Sequence, residues 1–133
     1  ILDAEGYMGR LRCVQEISAV TAACMMVKTS VFKAVGGFDE ELKVAFNDID
    51  LCMKVRKYGV KIVFTPYAEL YHYESKSRGM EDTPEKQLRF SREVNCFRRK
   101  WERELLKGDP YYNPNLTLNN TDCSLRKQEK NGD

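Results

Sequence analysis

Two carboxylates stand two residues apart in Asn47-Asp48-Ile49-Asp50, just ahead of the apolar Leu51 and Cys52. Such a pair can hold a cation, and either carboxylate can take a proton from an attacking hydroxyl. Acidic residues also gather at helix starts, where the helix dipole favours negative charge. Spacing alone leaves these readings open. An EF-hand loop is excluded, because the required Gly is missing and no Glu closes the loop. His72 is the only histidine. It is either a satisfied side chain or a ligand, and Ser75-Lys76-Ser77-Arg78-Gly79 follows shortly after it. Lys76 and Arg78 can neutralise phosphate, and strand ends are where α/β folds bind ligands. Gly36-Gly37-Phe38-Asp39-Glu40 follows a helix pattern and lacks phosphate-loop spacing, so by itself it is a turn.

The elements that must position these residues can be read from pattern. Small and β-branched residues over 17–27 predict a buried strand. Thr29 or Ser30 caps a short helix over 31–35, which Gly36 stops. A second helix is predicted over 48–58, with Asn47 as N-cap, Asp48 and Asp50 in the first turn and Gly59 at its end. Residues 61–64 read as a short buried strand. Over 68–73 the chain alternates, with Ala68, Leu70 and His72 on one face and Glu69, Tyr71 and Tyr73 on the other. Thr83 caps and Pro84 opens a long helix closed by Gly108, whose apolar stripe is Leu88, Val94, Phe97, Trp101 and Leu105. Trp101 reads as packing. Alternating strands and helices make the class α/β. About three visible strands are too few for a complete doubly wound sheet, so the expectation is half of a domain.

Composition narrows the function classes. The 133 residues are 42% hydrophobic and 32% charged, an ordinary globular balance. Twenty-two basic against twenty acidic residues leave +2, too little to argue for nucleic acid or an anionic membrane. The run Arg98-Arg99-Lys100 reads as a solvated helix face. Five irregularly spaced cysteines, with no CxxC pair, fit reduced thiols in a cytosolic protein. The longest apolar run, 19–27, is far short of the ~20 residues that span a bilayer. The chain starts at Ile1 with no signal-peptide pattern, and the expectation is a piece of a longer protein. The sequons at Asn115 and Asn119 carry meaning only in a secreted protein.

The order of the motifs is more specific than any one of them. Val20-Thr21-Ala22-Ala23-Cys24-Met25, Gly36-Gly37-Phe38-Asp39-Glu40, Asn47-Asp48-Ile49-Asp50-Leu51-Cys52, the stretch from Pro66 to His72, Ser77-Arg78-Gly79 and the ending Asp109-Pro110-Tyr111-Tyr112-Asn113-Pro114-Asn115-Leu116 follow in turn. Over roughly residues 10–118 this succession resembles the C-terminal half of family 2 glycosyltransferases, in particular bacterial rhamnosyltransferase-like members that build surface polysaccharides.

The resemblance implies a partial GT-A (Rossmann-like) α/β fold: a small mixed sheet flanked by helices, with a long C-terminal helix. Residues 1–118 would form the acceptor-side portion and 119–133 a polar, disordered tail. It implies transfer of a sugar from a nucleotide-diphosphate sugar to a hydroxyl acceptor with inversion, in glycan or polysaccharide synthesis. Asp48 would be the base, with Asn47 standing where many members carry Glu. Gly37, Phe38, Asp39 and Asn47 would border the acceptor, with Phe38 offering an apolar face to a sugar ring. Lys76 and Arg78 would lie on the loop over the donor diphosphate, and His72 would be a ligand for Mg²⁺ or Mn²⁺ in the full-length enzyme. Asp50 is assigned to holding the helix start, and Ala22 stands where related sequences often carry Gly. The family's Asp-x-Asp motif belongs to an N-terminal half, and neither Asp3 nor Glu5 forms it, so the chain alone is expected to be inactive. The expected setting is cytoplasmic, at the inner face of the membrane if membrane-associated at all, and self-association through an apolar edge is plausible. The alternative reading is a non-catalytic carbohydrate-binding or assembly module.

Overall fold

A computed structural model describes residues 5–71, 83–120 and 122–127. Strand β1 (Gln15–Glu16) is followed by helices α1 (Thr29–Ala34) and α2 (Asn47–Lys57), strand β2 (Val63–Phe64) and helix α3 (Pro84–Lys107). The fold is mixed α/β with a small sheet and a long C-terminal helix, as expected.

The long helix forms where its signals put it. The Thr83 side chain accepts from the Lys86 N–H at 3.4 Å, Pro84 opens the first turn, and Gly108 terminates it at a positive φ of 76°. Of the expected stripe, Phe97 and Trp101 are buried, whereas Leu88 and Leu105 are largely exposed. The core forms where Leu42, Phe97 and Trp101 meet, flanked by Phe46, Met53 and Cys96. It therefore lies between α2, α3 and the loop that connects α1 to α2.

Helix α1 starts at Thr29 itself, with no side-chain cap, and ends in two glycines of positive φ. At Gly37 the requirement is strict. Its φ is 65°, and a Cβ there would stand 3.0 Å from the Phe32 ring. Helix α2 starts one residue earlier than its pattern predicts. Its N-cap is Phe46, and Asn47 is the first helical residue.

The sheet is smaller than the sequence pattern suggests. β1 pairs antiparallel with β2, Gln15 opposite Phe64 and Glu16 opposite Val63, and the Ile17 N–H extends the ladder to the Ile62 carbonyl at 3.0 Å. The buried strand expected over 17–27 does not form. Residues 22–24 make one turn of 3-10 helix, and Met26 is fully exposed. The alternating strand expected over 68–73 does not form over 68–71, where every residue is exposed, and residues 72 and 73 lie outside the described residues. A buried strand needs partners along its edges, and among the described residues β1 and β2 have only each other.

The segment after α3 returns across this ribbon. Ser18 hydrogen-bonds the Asp109 carboxylate, the Tyr111 hydroxyl donates to Glu16 at 3.0 Å, and the Arg56 guanidinium lies 5.6 Å from the Tyr111 ring centre. Beyond it, Leu116 bridges Leu125 in antiparallel fashion.

Candidate catalytic site at the start of helix α2

The start of α2 is held by an unusual backbone state. Phe46 has φ 64° and ψ 3°, a left-handed conformation that a bulky L-residue adopts only under constraint. Two contacts with α3 supply that constraint. The Phe46 ring stacks on Phe97 at 5.1 Å and lies 5.9 Å from Phe90. The buried Glu93 carboxylate accepts the backbone N–H of Val44 at 3.2 Å and of Ala45 at 2.8 Å. With the loop fixed in this way, the Phe46 carbonyl accepts the first helical bond, from Asp50, at 2.8 Å.

Successive residues of an α-helix turn by about 100°, so residues two apart point to nearly opposite sides. Asp48 and Asp50 do so. The half-buried Asp48 faces the 3-10 turn at 22–24. Its Oδ2 accepts the Ala22 N–H at 3.2 Å, and its Oδ1 accepts the Ile49 N–H at 2.9 Å. The Asn47 side chain accepts the Asp48 N–H at 2.7 Å. Close behind, the Cys52 thiol donates to the Val20 carbonyl at 3.7 Å. Burial pushes that thiol's pKa up, and the Asp48 charge adds to the rise. All five cysteines are free.

Asp50 faces the other way and is fully buried (0% exposed). Its Oδ1 accepts the Trp101 indole N–H at 2.8 Å and the Lys100 ammonium at 2.7 Å, and its Oδ2 lies 3.0 Å from Lys54. Helix α3 departs from regular geometry at Trp101 (φ −115°, ψ 20°), the residue whose indole meets Asp50. The Lys57 and Lys100 ammonium groups stand 5.8 and 5.9 Å from the Trp101 ring centre.

Lys54 and Lys100 continue to the 36–40 turn. Lys54 donates to the Gly37 carbonyl at 2.7 Å, and Lys100 pairs with the Asp39 carboxylate, which also accepts the Glu41 N–H at 3.0 Å. The hydrogen bond from Lys100 holds Asp39 below the usual carboxylate range, and the Glu41 N–H adds to this. Burial opposes the charge on Lys100, but its bonds to Asp39 and Asp50 outweigh that and raise its pKa. Phe38 is half exposed, its ring edge against Phe32 at 5.5 Å.

The sequence-predicted residues thus fall into two groups. Asn47 and Asp48 sit together at the start of α2, while Gly37 and Asp39 join the same helix one turn further on, through the lysines. His72, Lys76 and Arg78 lie outside the described residues. Sequence reasoning placed Asp50 at the helix start but missed its partners. It read Lys100 as part of a solvated face and did not single out Glu93. One signal was available: Glu93, Phe97 and Trp101 are spaced by four, which puts an acid inside the apolar stripe of α3.

The described residues do not fit a divalent-metal site. Asp48 and Asp50 diverge, Asp50 is committed to two ammonium groups, and no three His, Cys, Asp or Glu side chains converge. Among the described residues no helix is long and apolar enough to cross a membrane.

Over 90% of its length the chain is 58% identical to the uncharacterized protein y4gI of Sinorhizobium fredii, of which it spans 13%. Over 86% of its length it is 39% identical to the O-antigen biosynthesis protein RfbC of Myxococcus xanthus, of which it spans 9%. A third relative is the N-acetylglucosaminyl-diphospho-decaprenol L-rhamnosyltransferase of Mycobacterium tuberculosis, 36% identical over 62 residues, which are 47% of this chain and 20% of that protein. The chain therefore covers a small part of the curated relatives it matches. No protein-family model matches it, and no solved structure matches significantly.

Proposed function

We propose that this chain is the acceptor-side part of an inverting glycosyltransferase of family 2 type, acting in the synthesis of a surface or cell-wall polysaccharide. The single observation that carries the reading is Asp48: a half-buried carboxylate at a helix start, oriented by two backbone N–H groups and set apart from the salt-bridged Asp50. Similarity to a protein named for O-antigen biosynthesis and to one named as a rhamnosyltransferase supports it.

In this reading Asp48 takes the proton of an acceptor hydroxyl as its oxygen attacks the anomeric carbon of the donor. The new glycosidic C–O bond forms as the bond to the diphosphate oxygen breaks, and the nucleoside diphosphate leaves with the electron pair from the opposite face. The backbone N–H groups of Ala22 and Ile49 fix the carboxylate's direction, so that rate derives from placement against the hydroxyl. Gly37, Phe38, Asp39 and Asn47 border the acceptor, the exposed Phe38 ring facing a sugar. Lys76 and Arg78 at the donor diphosphate, and His72 as a ligand for Mg²⁺ or Mn²⁺ in the full-length protein, are carried by the family resemblance alone. A divalent ion there would supply charge neutralisation at the leaving group.

The test is a transfer assay with the full-length protein, a panel of nucleotide-diphosphate sugars and a lipid-linked or soluble glycan acceptor. Release of nucleoside diphosphate together with a new glycosidic bond of opposite anomeric configuration is expected. Retained configuration, or glycan binding without transfer, contradicts the proposal, and the latter outcome identifies a carbohydrate-binding module instead.

A further inference from the structure

The ion cluster around Asp50 closes on itself: two carboxylates, Asp39 and Asp50, against two ammonium groups, Lys54 and Lys100. A ligand site would leave charge unspent, and this cluster leaves none. What it does is connect. Asp50 sits on α2, Lys100 on α3, and both lysines reach the 36–40 turn, one at the Gly37 carbonyl and the other at the Asp39 carboxylate. The turn's other contacts run mainly back to α1: the Gly37 N–H donates to the Phe32 carbonyl at 2.9 Å, and the Phe38 ring meets the Phe32 ring edge at 5.5 Å. Its side-chain ties to α2 run through the lysines, and the buried Leu42 anchors the chain just after it.

We propose that Asp50, acting through Lys54 and Lys100, is a positioning residue that sets the 36–40 turn against the helix start bearing Asp48, and so fixes where the acceptor sits relative to the base. The inference rests on the acceptor-side reading above. Asp50 touches no reacting atom. It acts through the lysines, and Trp101 and the buried surroundings hold it in place.

Asp50→Asn changes a fully buried group and leaves two lysines without its charge, which risks the fold, so the test uses Lys100, whose side chain is about one-third exposed. In Lys100→Met, hydrogen exchange at the Glu41 and Leu42 amides, both bonded to Asp39, is expected to quicken about tenfold, with the Cys52 and Val55 amides in α2 unchanged. In the full-length protein the same substitution is expected to raise the acceptor KM about tenfold while the donor KM stays within about twofold. Lys100→Arg, which keeps the charge and can span both carboxylates, is expected to restore both readouts. Unchanged exchange at Glu41 and Leu42 overturns the positioning role whatever the activity. Faster exchange with an unchanged acceptor KM, or with donor and acceptor KM raised alike, overturns the link to the acceptor. If the unsubstituted protein transfers no sugar, the glycosyltransferase reading fails and the acceptor clause falls with it, while the exchange result still decides whether the cluster holds the turn.

Discussion

Helices α2 and α3 and the β1–β2 ribbon are built on different terms. Between the helices every buried charge has a partner: Asp50 has the Trp101 indole and two lysines, and Glu93 has two backbone N–H groups. The ribbon has two paired residues per strand, and around it Val14, Met26, Val63, Tyr67, Leu70 and Tyr71 are exposed. Asp48 lies where the two regions meet, on helix α2 but facing the 22–24 turn on the ribbon side. The difference teaches that a carboxylate at a helix start, the base in the proposed reaction, can be held from behind by a satisfied core while the wall in front of it has few paired backbone groups. It also locates the stability of the chain.

Substitutions should separate the two regions sharply. Trp101→Ala removes the largest core side chain and the donor to Asp50, and a loss of about 3–5 kcal/mol in urea unfolding is expected. Glu93→Ala removes the carboxylate acceptor of two loop N–H groups and should cost about 2–3 kcal/mol, with the Val44 and Ala45 amides losing hydrogen-exchange protection. On the ribbon, Val63→Thr should change stability by no more than about 0.5 kcal/mol, since the side chain is exposed. A ribbon substitution as costly as Trp101→Ala would erase the distinction.

Acid offers a gentler probe of the same boundary. The folded-state pKa of Asp39 lies below the ordinary value of 3.8, chiefly through its bond to Lys100. Its contribution is therefore fully present above pH about 4 and is lost as the pH falls through the lower folded-state value. Protection at the Glu41 and Leu42 amides should decline in that acid range, and in Lys100→Met the decline should begin at higher pH.

The same contrast explains what could be read in the sequence. α3 and α2 were legible because helix signals are local: Thr83-Pro84 at one end and Gly108 at the other, acids at the start of α2 and Gly59 after it. The strand over 17–27 was misread because small β-branched residues describe a burial that only a neighbouring strand can provide. Asp48 was singled out through its motif, and the structure adds contacts that the motif does not show, the Ala22 N–H and the left-handed Phe46. Glu93 and Lys100 stayed hidden because their partners on the 36–46 segment are 48 to 61 residues away in sequence, and Lys54 because its pair with Asp50, four residues away, reads first as solvated surface.

The account turns on Asp48, and Asp48→Asn in the full-length protein tests it most directly. The substitution keeps an oxygen for the Ala22 or Ile49 N–H and leaves the Asp50 cluster untouched, so folding should persist, as seen in unchanged Trp101 fluorescence. Sugar transfer is predicted to fall by about 10²–10⁴-fold in kcat with little change in acceptor or donor KM. Turnover within about threefold of the unsubstituted protein would contradict the account and place the base elsewhere.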